Sequence, residues 1–184
     1  MEKLDIYTID GIKTQKVVER GSVLIDGEYI KLAVVYLKCG GKFLVQKCSS
    51  QKGGEYAITG GHTTSGNTSK QQAKIEVKEE LGVDIDIQKL EYVGNIIRGH
   101  AIFDVFVYED ENLEKQDFVL QTEEVENVFW LEKHQIENLI KQKLMRESSC
   151  EHYAKFIRWD NLLKIKNVKH VFCFFIMRIH WNYV

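Results

Sequence analysis

The sequence predicts a single mixed α/β domain in which a β-sheet lies between helices. Strand-like and helix-like segments follow one another in the order strands, helix, strands, helix. Near Thr68 the apolar spacing changes from the short runs of strands to the four-residue period of a helix. The length of 184 residues, with 44% apolar and 28% charged, suits one soluble domain and falls short of two.

Residues 4–36 read as strands and turns. Asp10-Gly11 and Asp26-Gly27 are tight-turn dipeptides flanked by β-branched residues, and each predicts a hairpin-like reversal. Residues 32–37 (LAVVYL) form an apolar run suited to a buried strand; Gly40-Gly41 turns it and residues 42–47 run back. Residues 49–54 are polar and glycine-rich, a surface loop, and residues 56–58 predict a short strand ending at Gly60-Gly61. From Thr68 to Leu81 the apolar positions Ala73, Val77 and Leu81 are spaced by four, one stripe of a helix. Thr68 or Ser69 caps its start, and Gly82 stands where a helix-ending glycine belongs. Strand signals follow at 90–93, 101–108 and 128–131, with an acidic turn at 109–114. Residues 134–144 predict a second amphipathic helix with Ile136, Leu139, Ile140 and Leu144 on its apolar face. One domain is expected over 1–150, with 151–184 as a C-terminal extension that packs on it or at a homodimer interface. Its apolar run at 171–177 is too short to span a bilayer.

The 25 Lys and Arg against 27 Asp and Glu, a net charge of -2, offer no basic surface for nucleic acid, and no membrane partner is expected. The first residues are acidic and polar, without the apolar core of an export signal. Four scattered cysteines with no CxxC pair predict free thiols and a cytoplasmic location. The chain has no proline, where average usage gives roughly nine in this length; its composition offers no physical reason.

Chemistry concentrates in residues 60–83, GGHTTSGNTSKQQAKIEVKEELGV. Glu76, Glu79 and Glu80 stand at i, i+3 and i+4, so three carboxylates share one helical face beside the apolar stripe. Like charges so placed repel unless a cation neutralises them, and a hard divalent ion with oxygen ligands is the natural partner. On this spacing alone a solvated face is the ordinary reading. The lead-in strand, the glycine bend at 60–61 and the closing Gly82 favour a metal. Cys48, which ends a strand nearby, has no partner base in view and reads as a packed thiol.

With these residues in place, the segment resembles the Nudix hydrolase box, G-x5-E-x7-R-E-U-x-E-E-x-G-U with U aliphatic. Gly61, Glu76, Val77, Glu79, Glu80, Gly82 and Val83 match in order; Asn67 stands at the family's first Glu and Ile75 at its Arg. Residues 56–62 look like the strand entering the box, and 121–125 followed by Phe129-Trp130 like its later acidic loop and strand. The resemblance covers roughly residues 5–145. It implies an α/β/α sandwich and metal-dependent hydrolysis of a diphosphate linkage in a nucleoside diphosphate derivative.

By position, Glu76, Glu79, Glu80 and the Gly60 carbonyl would hold Mg²⁺ or Mn²⁺. Glu76 and Glu79 are the candidate catalytic groups, and Gly61, His62 and Glu124 are the candidate substrate contacts, with Glu123 beside the last. In the family the missing Arg and Glu orient the carboxylate helix and the loop before it, so their loss predicts intact ligands, looser placement and reduced turnover. Residues 5–29 look like the isopentenyl-diphosphate-isomerase branch, which makes an isomerase the second reading. That chemistry needs a cysteine and histidines where this chain has Gly60, Ile30 and Lys31. A binding or sensor domain with weak catalysis is the third.

Overall fold

The structure, a computed structural model, describes residues 1–158. Its organising element is the strand β3 (Ile30–Cys39), whose continuous apolar run is what a strand covered on both faces requires. Ala33, Val35 and Leu37 face one core cluster and Val34 and Tyr36 the other, the period of two that a pleated strand imposes. β3 pairs antiparallel with β4 (Lys42–Cys48) and parallel with β8 (Ala101–Glu109), and β8 pairs antiparallel with β7 (Glu91–Arg98). β4 also takes the short β5 (Tyr56–Ala57) and β9 (Val125–Leu131), and β6 (Gly60–His62) lies against β3. Seven strands thus form one mixed sheet.

Helix α1 (Ser69–Leu81) covers the first face through Ala73, Val77 and Leu81. The second face receives Ile136 of α2 (Lys133–Lys141), and Tyr153 and Ile157, which follow α3 (Glu147–His152). This is the expected mixed α/β architecture with a sheet between helices. Tyr153 and Ile157 lie in the core, beyond residue 150, while residues 159–184, which hold the apolar run 171–177 and Cys173, lie outside the described residues. No helix among the described residues is long and apolar enough to cross a membrane.

Three local expectations are corrected. Asp10-Gly11 does turn β1 (Lys3–Tyr7) into β2 (Lys13–Glu19), but the turn at Asp26-Gly27 forms no β2–β3 hairpin. The β1–β2 ribbon is a separate two-stranded sheet, and the chain passes back along β1, where Tyr7 and Tyr29 exchange backbone hydrogen bonds of 2.7 and 2.9 Å. Gly60-Gly61 is not a bend: both glycines are extended in β6, opposite Val34 and Ala33. Leu144 is 44% exposed and off the α2 face, because α2 ends at Lys141 and Lys143 takes a left-handed φ of 57°, after which the Leu144 carbonyl accepts from the Tyr56 N–H at 2.9 Å and Met145 is the buried residue.

Buried His152 fixes α3 to the sheet. Its Nδ1 shares a 2.6 Å hydrogen bond with the Tyr36 hydroxyl, and burial depresses its pKa from 6.5 to about 3. The unfolded chain therefore binds a proton that the folded one refuses between these values, so this group removes stability as pH falls from about 6.5 toward 3. Chemical denaturation between pH 7 and 4 should show this slope flattened in His152→Leu. The same substitution should cost about 1–3 kcal/mol at pH 7, where the Tyr36 hydroxyl loses its partner.

Candidate functional site

Helix α1 begins with a capping box: Thr68 Oγ1 accepts from the Gln71 N–H at 3.2 Å, and the Gln71 side chain accepts from the Thr68 N–H at 2.8 Å. The Ser69 hydroxyl donates to Asp104 Oδ2 on β8 at 2.6 Å, and Lys31 on β3 reaches the same oxygen at 3.1 Å. Gly82 closes the helix in the left-handed conformation. The helix is therefore fixed at both ends, and its rotation about its own axis is set by the Ala73-Val77-Leu81 stripe.

That rotation sorts the three glutamates. At 100° per residue Glu80 falls about 20° from Ala73, Glu76 about 60° and Glu79 about 120° away from the stripe. Burial follows the same order: Glu80 is 6% exposed, Glu76 is half-buried, and Glu79 is exposed. The shared face is real, but it is a gradient from core to water.

The two inner carboxylates lie against β6 and β4. A Cβ on Gly61 would run into the Glu76 carboxylate, and one on Gly60 would run into the Ala33 carbonyl. The glycines are needed for close approach, not for turning. Gln72 Nε2 donates to Glu76 Oε1 at 2.8 Å. Gln46 Nε2 donates to Glu80 Oε2 at 2.8 Å and to Thr59 Oγ1 at 2.9 Å, and the Gly60 N–H also serves Glu80. Sequence reading singled out neither glutamine. The available signal for Gln46 was an uncharged polar residue directly after the apolar run Phe43-Leu44-Val45 of β4.

These carboxylates floor a cleft of about 560 Å³ that Gly60, Gly61, His62 and Glu79 also line. From the later acidic loop Glu124 reaches the cleft, while Glu123 does not line it. Ser49 holds that loop, its N–H donating to the Glu124 carbonyl and its hydroxyl to the Glu123 carbonyl. Three cations stand on the cleft walls, each already paired: Arg20 with Glu2 at 2.8 Å, Lys52 with Glu124 at 2.8 Å, and Arg146 with Glu55 at 3.5 Å. Cys48 also faces the cleft; burial raises its thiol pKa, which suits a packed group and not a nucleophile. Burial lowers the His62 pKa, with the charge of Arg20 acting the same way.

Burial raises Glu80 to about 8 and Glu76 to about 7, against the hydrogen bonds from Gln46 and Gln72. The charge of Glu76 raises Glu80 further, and the other charges that act on the two, Glu79, Glu2 and Glu124, push the same way. An all-oxygen pair in that condition fits a hard divalent cation. Among the described residues no three His, Cys, Asp or Glu side chains form a closed cluster, so backbone, water or substrate oxygens would complete the set, as Mg²⁺ prefers.

A sheet between helices with a carboxylate helix over a polar cleft defines the class, and comparison with known proteins gives the family. The NUDIX domain model matches residues 30–159. The chain is 34% identical over 176 residues to an uncharacterised Nudix hydrolase of Listeria innocua, covering 91% of this chain and 96% of that one. It is 30% identical over 174 residues to one from Listeria monocytogenes, with the same coverage. In fold it is similar to DR0079 of Deinococcus radiodurans, with a TM-score of 0.70 at 15% identity over 85% of this chain and 100% of the other. It is also similar to a bifunctional NMN adenylyltransferase/ADP ribose pyrophosphatase of Francisella tularensis, crystallised with AMP and a manganese ion. There the TM-score is 0.55 at 15% identity, over 74% of this chain and 42% of that one. The chain belongs to the Nudix hydrolase family.

In the absence of divalent metal, the raised carboxyls make a definite prediction. The folded protein holds protons that the unfolded chain releases above about 4.5, so this contribution is full below that pH and is lost as pH rises through about 7 and 8. Thermal melts in chelator should show Glu80→Gln unfolding at a higher temperature than wild type at pH 8, with the difference shrinking toward pH 5.

Proposed function

We propose that this protein is a Mg²⁺- or Mn²⁺-dependent hydrolase that cleaves a diphosphate linkage in a nucleoside diphosphate derivative. The observation that carries the reading is the carboxylate pair of buried Glu80 and half-buried Glu76, placed one helical turn apart on a cleft and without a basic partner among the described residues. Glu76 and Glu80, with Glu79 at the wet edge and the Gly60 carbonyl, would hold the ion. A bound divalent ion supplies charge neutralisation at phosphoryl oxygens and lowers the pKa of a coordinated water. Glu76 and Glu79 are the candidate acceptors for the proton of the attacking water, and Gly61, His62 and Glu124 the candidate substrate contacts.

Arg20, Lys52 and Arg146 stand on the walls, where a substrate phosphate could exchange for their present partners Glu2, Glu124 and Glu55. The cleft volume is within the range of small-molecule sites. Free thiols at Cys39, Cys48 and Cys150 agree with a cytoplasmic location. An isomerase would need a cysteine at the position of Gly60 and a histidine where Ile30 and Lys31 stand, so hydrolysis is the better reading.

The test is a panel of nucleoside diphosphate derivatives and prenyl diphosphates with Mg²⁺ or Mn²⁺, with products read by mass. Metal-dependent release of a nucleoside monophosphate is expected, reduced roughly 100-fold or more in Glu80→Gln. A product of unchanged mass with a shifted double bond would mean isomerase. Metal binding without turnover of any panel member would mean a binding domain.

A further inference from the structure

The geometry points to Gln72 as a positioning residue that holds the Glu76 carboxylate in its observed orientation through a neutral relay from Thr64 and Asn67; this deepens the metal-dependent reading above and rests on it. Gln72 is 3% exposed, and its amide has only one workable orientation. Its Oε1 takes the Thr64 N–H at 3.1 Å, the Thr64 hydroxyl at 2.9 Å and Asn67 Nδ2 at 3.3 Å. Asn67 Nδ2 also donates to Thr64 Oγ1 at 2.8 Å, which directs the hydroxyl proton toward Gln72. A flipped amide would set Nε2 against the Thr64 N–H, donor facing donor. Nε2 is therefore left pointing along the helix at Glu76 Oε1, one turn on, at 2.8 Å.

Glu76 is then held from two sides. Gly61 lies beneath its carboxylate so closely that no side chain would fit, and Gln72 fixes one oxygen. Among the described residues Oε2 takes no protein hydrogen bond. Ile75, the position where the family box has a basic residue, is half-buried at the cleft edge and donates nothing. The consequence is specific: a neutral amide sets the carboxylate's orientation without neutralising its charge, so that charge stays available to a cation. Asn67, which as a carboxylate would repel the Gln72 oxygen, is matched to this arrangement. Gln46 does the same for Glu80 from β4. Groups that orient metal ligands in this way commonly change affinity by 10- to 100-fold when removed.

The experiment measures Mn²⁺ affinity of the full chain by electron paramagnetic resonance of the free ion, alongside the metal-free unfolding temperature. The variants are Gln72→Leu, Gln72→Asn and Asn67→Ala, with Gln71→Ala as control; Gln71 belongs to the exposed helix cap and not to the relay. Gln72→Leu is expected to weaken Mn²⁺ binding about 10-fold or more. Gln72→Asn, which keeps the polarity but falls one methylene short, should do the same and covers the case in which the leucine variant fails to fold. Asn67→Ala should give a smaller loss in the same direction. Gln71→Ala should lower the unfolding temperature and leave Mn²⁺ affinity unchanged. Turnover lost in Gln72→Leu should recover in part when Mn²⁺ is raised. Wild-type affinity in both Gln72 variants, with only the unfolding temperature lowered, would overturn the positioning role and leave the metal reading standing. No Mn²⁺ binding by the wild-type protein would overturn both.

Discussion

Glu76 and Glu80 stand one turn apart on α1, both turned toward the sheet and both opposed by further carboxylates. Burying one such group is costly, and burying two that repel is costlier. Among the described residues that cost is lowered by neutral donors only: Gln72 for Glu76, and Gln46 with the Gly60 N–H for Glu80. The protein thereby keeps a concentrated demand for positive charge at the floor of an open cleft. A chain selected for stability alone would have filled these positions with a basic partner or with apolar residues.

The rest of the fold reads as support for that arrangement. The central strand, covered on both faces, gives α1 a rigid bed through Ala33, Val35 and Leu37. The glycines of β6 let backbone come up to the carboxylates where any side chain would collide. Buried Asp5 of β1 accepts from the Ser65 hydroxyl at 2.7 Å and the Gly66 N–H at 3.1 Å, tying the two-stranded ribbon to the loop that carries Thr64 and Asn67. Ser69 and Asp104 then fix where the helix begins. The positions of Thr64, Gln72 and Glu76 are therefore set from three directions before any ligand arrives.

Periodicity disclosed α1 to within a residue, because its cap, its stripe and its closing glycine are all local signals, and it disclosed β3 because an unbroken apolar run has few other uses. It also placed three carboxylates on one face. What it left open was how closely the sheet comes up to that face, which decides that Glu80 is buried and Glu79 wet. That distance depends on the partner surface and not on the helix. Gly60-Gly61 was misread as a bend because glycine permits both a turn and a close approach, and only the opposing Ala33 carbonyl and Glu76 carboxylate say which is used. Gln46 and Gln72 escaped for a related reason. A polar residue on a strand or helix acquires meaning from the partner the fold brings to it, here Glu80, distant in sequence, for Gln46. For Gln72 the signal was nearer, in the loop that folds back over its own helix.

Proton release on metal binding tests this balance of charge most directly. At pH 7 the metal-free carboxyls, raised to about 7 and about 8, retain protons that a bound divalent ion must displace. Isothermal titration of Mn²⁺ at pH 7, repeated in buffers of differing ionisation enthalpy, should show roughly one proton or more released per ion, falling toward zero by pH 9. Binding with no buffer-dependent heat at pH 7 would mean that the ion does not sit on these carboxylates, and the account of the site built on them would be wrong.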